Sequence, residues 1–421
     1  MSGALTERER QVVEAIDVEA MAEGVRALVR IPSWGGQETA AQEFMARLLA
    51  DSGLEVDRWE IDLNELARHP AFSAEIVREH ALGVVGTLSG KGGGRSLILN
   101  GHVDVVPPGD AALWRHPPFD AVLEDGRIYG RGALDMKGAV VAAAYALRAV
   151  REAGAELKGT VHLTSVVGEE DGGLGTLATI LRGYRADGAV VMEPTELAVA
   201  PAQAGALNFR LRVPGQAAHG ALREEGVSAL ENLFPLYRAL EALEEDRNHR
   251  LGGDPLFARY QRPFALCVGT VHGGDWASSV PDHVTVEGRL GVAPGEAPEQ
   301  ARRELERAVQ EAAAAHPWLR NHAPELTWWG GRFLPARTAT DHPLVTVLQG
   351  AASSVLDRPV PLEGMTYGAD MALFVHEGST PTVLFGAGDI RGAHRPDESV
   401  AIDDLVAMAR SLAVTVMRFC A

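Results

Sequence analysis

The order of helices and strands changes character once along this chain, and that change constrains the fold more than any other feature. β-rich runs at 83–88 (GVVGTL), 96–106 (SLILNGHVDVV), 159–167 (GTVHLTSVV) and 188–192 (GAVVM) are interleaved with helical runs after Asp135 and after Gly175. A helix–loop–helix entry over residues 6–50, broken by IPSWGG at 31–36, precedes them. This alternation predicts an α/β layered sheet with functional residues at strand ends and in the loops there. From Ala204 the pattern becomes strand (206–213), helix (about 227–246), strand (264–272), strand (283–292), helix (298–315) and strand (324–329). That β-α-β-β-α-β order is a complete ferredoxin-like module. The first pattern then resumes with a helix near 342–356, a strand at 381–385 and a helix at 401–419. The expected organisation is a discontinuous first domain, residues 1–203 and 333–421, interrupted by an inserted module at 204–332.

Length agrees with two domains, because 421 residues exceed what one core of roughly 250–300 residues serves. The balance of 39 Lys+Arg against 57 Asp+Glu leaves a net charge of −18, which argues against nucleic acid as a partner. The two cysteines, Cys267 and Cys420, are far apart and form no C-x-x-C motif, so neither a disulfide framework nor a thiolate metal site is expected. The N-terminal MSGALTERERQVVEAIDVEA lacks an apolar leader core, and no run of about 18 apolar residues occurs, so the expectation is a cytoplasmic chain with no membrane partner. The glycine loop GKGGGR at 90–95 lacks the G-K-[ST] ending and a following helix, and is read as a hairpin turn between its flanking strands.

Seven N and O donors recur at the ends of predicted strands or in the loops that follow them. His102 and Asp104 lie two apart in GHVDVV and so share a face. Asp135 sits between the glycine-rich YGRG and a hydrophobic helix; Glu169 and Glu170 follow TSVV; Glu193 opens EPTE; His394 lies in GAHRPDE. Singly, each has an ordinary structural use, such as a helix cap for Asp135 or a loop carboxylate for Glu193. Together, His102, Asp135, Glu170, Glu193 and His394 form a Cys-free set that suits zinc or a related divalent ion. If one carboxylate bridges, two ions are served. The adjacent Glu169 and Glu170 point in different directions, which leaves one for a metal and the other for a water.

Here the sequence resembles the di-zinc amidohydrolases that include acetylornithine deacetylase, succinyl-diaminopimelate desuccinylase, aminoacylase and glutamate carboxypeptidase. The resemblance runs through GHVDVV, WRHPPF at 114–119, GRGALDMKG, the Glu169–Glu170 pair, MEPT at 192–195, GQAAHG at 215–220 and GAHRPDE. It implies two zinc ions, with cobalt or manganese as substitutes. His102 and Glu193 would bind different ions from each other's, Asp135 would bridge, and Glu170 and His394 would complete the two sites. Asp104 would orient His102, and Glu169 would act as general base and acid. The inserted module would be a dimerisation domain, with His219 of GQAAHG crossing to the partner subunit's site to stabilise an oxyanion.

The resemblance also matches Arg289 of VEGRL to an arginine that grips a substrate carboxylate, a role suited to a guanidinium and distinct from that of a strand-surface arginine. Two positions depart from the family pattern: Ser279 replaces an Asn before Val-x-Pro, which leaves its substrate contact open, and Ala369–Asp370 replaces a Ser-Asp or Thr-Asp pair. Trp59, Trp328 and Trp329 are expected to pack, and Tyr367 could pack or bind. The implied activity is hydrolysis of an amide on a small N-acylated amino acid or amine, with acetylornithine first. Desuccinylation, deformylation of an N-formyl aminopyrimidine and dipeptide or carboxypeptide cleavage are the alternatives. A non-catalytic relic of the fold would have no use for Glu169, and a di-metal phosphohydrolase would order its motifs differently.

Overall fold

A computed structural model describes residues 4–421. The chain divides into two compact units, one of residues 1–202, 337–363 and 369–421, the other of residues 203–336 and 364–368.

The larger unit is built on a mixed sheet. Its strands run in the order Glu55–Glu60, Leu82–Leu88, Val161–Val166, Leu97–His102, Ala189–Val191, Thr382–Leu384, Val199–Gln203. The four strands from Val161–Val166 to Thr382–Leu384 are mutually parallel; Leu82–Leu88 and Val199–Gln203, which flank them, are antiparallel to them, and Glu55–Glu60 is in turn antiparallel to Leu82–Leu88. The predicted α/β sheet is therefore present. Parallel neighbours end on the same sheet edge, and the register places His102 beside Val166 and Asn100 beside Val191. The loops that carry the candidate donors thus leave from one side of the sheet, where open α/β sheets place their ligands.

Helices cover both faces, as successive residues of the Leu97–His102 strand reveal. A side chain at Gly101 would meet Val140 of helix Gly138–Glu152, with the Cβ 2.5 Å from its Cγ2. Asn100, pointing the other way, donates to Thr176 of helix Leu174–Leu181 at 3.1 Å. The Gly138–Glu152 helix is buried on nearly every side, as its alanine-rich sequence predicts, and packs against Ile402–Phe419 and Val18–Val29.

The GKGGGR loop is not a hairpin turn. Strand Val161–Val166 lies between the two strands that the loop joins, antiparallel to one and parallel to the other. Its glycines serve close approach instead: Lys91 and Gly92 donate N–H bonds to Leu157 and Lys158 carbonyls, and a Cβ on Gly90 would lie 2.3 Å from the Gly159 carbonyl oxygen.

The smaller unit has an antiparallel sheet in the order Leu266–Gly273, His283–Val292, Gly205–Pro214, Glu325–Phe333, with helices Ala229–Leu251 and Pro298–Ala315 packed on it. This is the ferredoxin-like arrangement. Leu207, Phe209, Leu211 and Val213 alternate into its core, and Gly288 leaves room for the Phe209 ring. Trp328 packs edge-on to Phe209, and Trp59 stacks with Tyr184 in the larger unit. Among the described residues, no helix is long and apolar enough to cross a membrane.

Candidate metal centre

His102 ends its strand and is 1% exposed. Its Nδ1 donates to the main-chain carbonyl of Asp104 at 2.8 Å, which turns Nε2 toward the carboxylates. The Asp104 carboxylate stands farther off, with Oδ1 3.7 Å from Nδ1. Its Oδ2 accepts the Glu170 N–H at 3.1 Å, so Asp104 ties the strand end to the Glu169–Glu170 loop.

Asp135 lies between two imidazoles. Its Oδ1 is 3.2 Å from His102 Nε2, and its Oδ2 is 3.3 Å from His394 Nε2. His394 also approaches Glu170 Oε1 at 3.1 Å, while Glu193 Oε1 is 3.8 Å from His102 Nε2. Ligand atoms of His102, Asp135 and Glu170 lie within 4.8 Å of one another, as do those of His102, Glu169 and Glu193. The five donors expected from the sequence therefore meet in one place. The resemblance sends His102 and Glu193 to different ions; in the structure His102 lies beside Glu193, and His394 beside Glu170, with Asp135 between them. Strand order causes this, because Ala189–Val191 is the direct neighbour of Leu97–His102.

The electrostatics call for a cation. Burial pushes the carboxyls of Glu169 and Glu193 well above the usual range, reinforced by Glu193 for the first and Asp135 for the second. Burial and Asp135 raise Glu170 as well. Burial also works against the charged forms of Asp135 and both histidines, but the ion pairs outweigh it, lowering Asp135 and raising His102, with His394 pushed up to about 11. Glu193 Oε1 is buried without a hydrogen-bond partner. Buried carboxylates are retained when paired or when they coordinate metal, and two histidines cannot pair with four acids. Donor chemistry, mutual distance and the orphaned oxygen fit divalent ions.

His219, Ser279 and Arg289 belong to the smaller unit. His219 is exposed, forms an isolated β-bridge with Ser279, and accepts the Ala221 N–H at Nδ1. Arg289 is half-buried on the central His283–Val292 strand, with Nη2 3.4 Å from the Thr366 carbonyl and Nε unpartnered. Asp370 is buried in the larger unit, accepts from Thr176, and is pushed up to about 7 by burial.

Several residues around the centre were not singled out from the sequence. Glu398, the last residue of GAHRPDE, accepts hydrogen bonds from the loop that carries Asp135. Lys137 is wholly buried and donates to the Ile31 carbonyl at 2.7 Å. Arg78 pairs with Asp171, next to the Glu169–Glu170 pair, and with Glu38. Glu398 and Lys137 lie inside quoted motifs, so a charged residue at a predicted buried turn was the available signal; Arg78 lies in an irregular stretch that offers none.

Residues 98–418 match the pattern of Peptidase family M20/M25/M40. The N-formyl-4-amino-5-aminomethyl-2-methylpyrimidine deformylase of Bacillus subtilis is 28% identical over 399 residues, covering 90% of this chain and 89% of that protein. A probable succinyl-diaminopimelate desuccinylase of Staphylococcus aureus is 26% identical over 352 residues, covering 78% and 83%. Among solved structures, a di-peptidase from Saccharomyces cerevisiae has a TM-score of 0.75 at 15% identity, with 98% of each chain covered. A tripeptidase from Staphylococcus aureus has a TM-score of 0.73 at 19% identity, covering 96% and 99%. These two structural likenesses concern the fold.

Proposed function

Since the chain belongs to Peptidase family M20/M25/M40 and is thereby a metal-dependent hydrolase acting on amide bonds, we propose that it removes a short acyl group from a small N-acylated amine. The observation that carries this is the pair of buried donor groups sharing His102, with Glu169 among them. His102, Asp135 and Glu193 would hold one ion and Asp135, Glu170 and His394 the other, with zinc as the native metal and cobalt or manganese as substitutes. When bound, such a pair supplies Lewis-acid polarisation of the amide carbonyl and a water of lowered pKa.

The remaining steps belong to the chain. Glu169 takes the proton of the attacking water and returns it to the departing amine nitrogen, so that the leaving group departs neutral. Asp104, through its carbonyl, holds the His102 tautomer. His219, supplied by a partner subunit, donates to the carbonyl oxygen as negative charge develops there. Arg289 serves a carboxylate of the substrate, with Ser279 beside His219 as a lesser contact.

Dimerisation through the inserted unit is part of this reading. Leu230, Phe234 and Tyr237 are exposed at helical spacing along Ala229–Leu251, and Leu266–Gly273 is an edge strand with Val271 open to solvent. Apolar side chains beside an unpaired edge suit a second copy of the chain.

The names of the relatives make an N-formyl aminomethylpyrimidine the first substrate to test, followed by N-succinyl-diaminopimelate. N-acetylornithine and dipeptides complete the panel. Metal-stripped protein reloaded with zinc, cobalt or manganese should release amine from at least one of these, and a chelator should abolish the release. Metal-loaded protein that hydrolyses none of them, but cleaves a chromogenic phosphodiester, would replace this reading with a phosphohydrolase.

A further inference from the structure

Asp135 is presented by a tight turn, and a buried carboxylate from a distant segment holds that turn from below. Gly132 takes a φ of +84°, and the Lys137 N–H closes onto the Gly132 carbonyl at 2.9 Å. The N–H groups of Gly132, Leu134 and Asp135 point inward, and all three donate to one oxygen, Glu398 Oε1, at 2.9, 3.1 and 3.2 Å. The other oxygen accepts from Arg131 Nη1 at 2.5 Å, and the Glu398 main-chain carbonyl accepts the Gly130 N–H at 2.9 Å. Glu398 is 1% exposed, and its Arg131 partner is equally withdrawn from solvent.

A buried carboxylate is costly unless its lone pairs are filled, and here they are filled by the backbone that aims one side chain. We propose that Glu398 is a positioning residue for the metal centre, fixing the Gly132–Asp135 backbone so that the Asp135 carboxylate stands between His102 and His394. Glu398 follows His394 by four residues, so one segment carries a donor of the centre and also sets the direction of a second donor. This deepens the assignment of Asp135 as a metal ligand and rests on it.

A glutamine at this position keeps the shape of the side chain but loses the charge that Arg131 meets, and brings N–H donors toward groups that are themselves donors. Ligand-supporting contacts of this kind are worth roughly 10- to 100-fold in metal affinity. Zinc and cobalt are titrated separately into metal-free protein against a chromophoric chelator, and the cobalt absorption spectrum is recorded. Glu398→Gln should weaken binding of the more loosely held ion within that range and shift the cobalt bands, whereas Glu398→Asp, with its charge kept and its reach shortened, should lose less.

Either variant, folded by circular dichroism, with wild-type affinity and an unchanged cobalt spectrum overturns the proposal, even if its melting temperature falls. Should neither fold, hydrogen exchange on the wild-type protein decides. The Gly132, Leu134 and Asp135 amides should be protected with and without metal, and exchange at unprotected rates refutes the clamp. Asp135→Asn is run alongside. If it keeps both ions at wild-type affinity, the ligand assignment fails; if it loses metal while Glu398→Gln keeps it, only the positioning role fails.

Discussion

His102 and His394 face one another across a single carboxylate, each with its Nε2 directed at a different oxygen of Asp135, 3.2 Å and 3.3 Å away. They are brought together because the strands before them, Leu97–His102 and Thr382–Leu384, are both parallel neighbours of Ala189–Val191. An imidazole on each side with Glu193 and Glu170 behind is an arrangement in which metal relieves acid–acid repulsion.

Metal should therefore stabilise the fold. At a free zinc concentration 100 times the dissociation constant, one site contributes about 2.7 kcal/mol, and for a unit of this size that is a rise of roughly 4–5 °C in melting temperature. Calorimetry with and without zinc checks it, and superimposable transitions would exclude a preformed site.

Glu169→Gln should leave zinc content nearly unchanged while kcat falls by about 10²- to 10⁴-fold, the range for a lost general acid–base. Metal analysis and kinetics on the same sample read it. Undiminished turnover would remove Glu169 from the proton path, and lost zinc would recast it as a ligand.

A shared active site predicts complementation. His219→Ala and Glu169→Gln proteins should each be inactive, but a mixed dimer would hold one site with both residues mutated and one with both intact. Statistical subunit exchange should restore about one quarter of wild-type activity. Exchange confirmed by mass with no recovery would keep His219 within its own subunit or outside catalysis.

Arg78 is 1% exposed at its side chain and is held between Glu38 and both oxygens of Asp171. Replacing it with Met strands two buried carboxylates, a loss of about 3–5 kcal/mol in the resistance of the protein to urea. Because Asp171 also accepts the Glu75 and Ile76 N–H groups, the loop of Glu169 and Glu170 should loosen too. A variant with unchanged stability would show that solvent or rearrangement satisfies those acids.

Acid sensitivity should centre partly on Glu9. Burial opposes its ionisation, but two hydrogen bonds from Arg418 and one from the Thr6 N–H outweigh burial and hold the carboxyl below its ordinary range. A pKa lower in the folded state means that the stabilisation is complete above the ordinary glutamate pKa and disappears as pH falls through the depressed one. Arg418→Gln should flatten that acid limb in urea unfolding followed against pH. An unaltered slope would assign the limb to other carboxylates.

The helices and the central strands of the large sheet, the inserted β-α-β-β-α-β order and the five candidate donors were legible in the sequence because they depend on local periodicity and on residue type at the ends of periodic runs, whereas the strands Glu55–Glu60 and Val199–Gln203 were not singled out. Pairing was not legible. Two consecutive β runs with a glycine loop between them look like a hairpin, and only the hydrogen bonds of Val161–Val166 to both of them show that it separates them. The same long-range order put Glu193 beside His102, and packing of the chain end against Gly132–Asp135 placed Glu398 under Asp135, 263 residues away in sequence. Periodicity reports which residues are buried, but the choice of neighbour is made by register and by the need to satisfy every buried N–H, and those are properties of the folded chain alone.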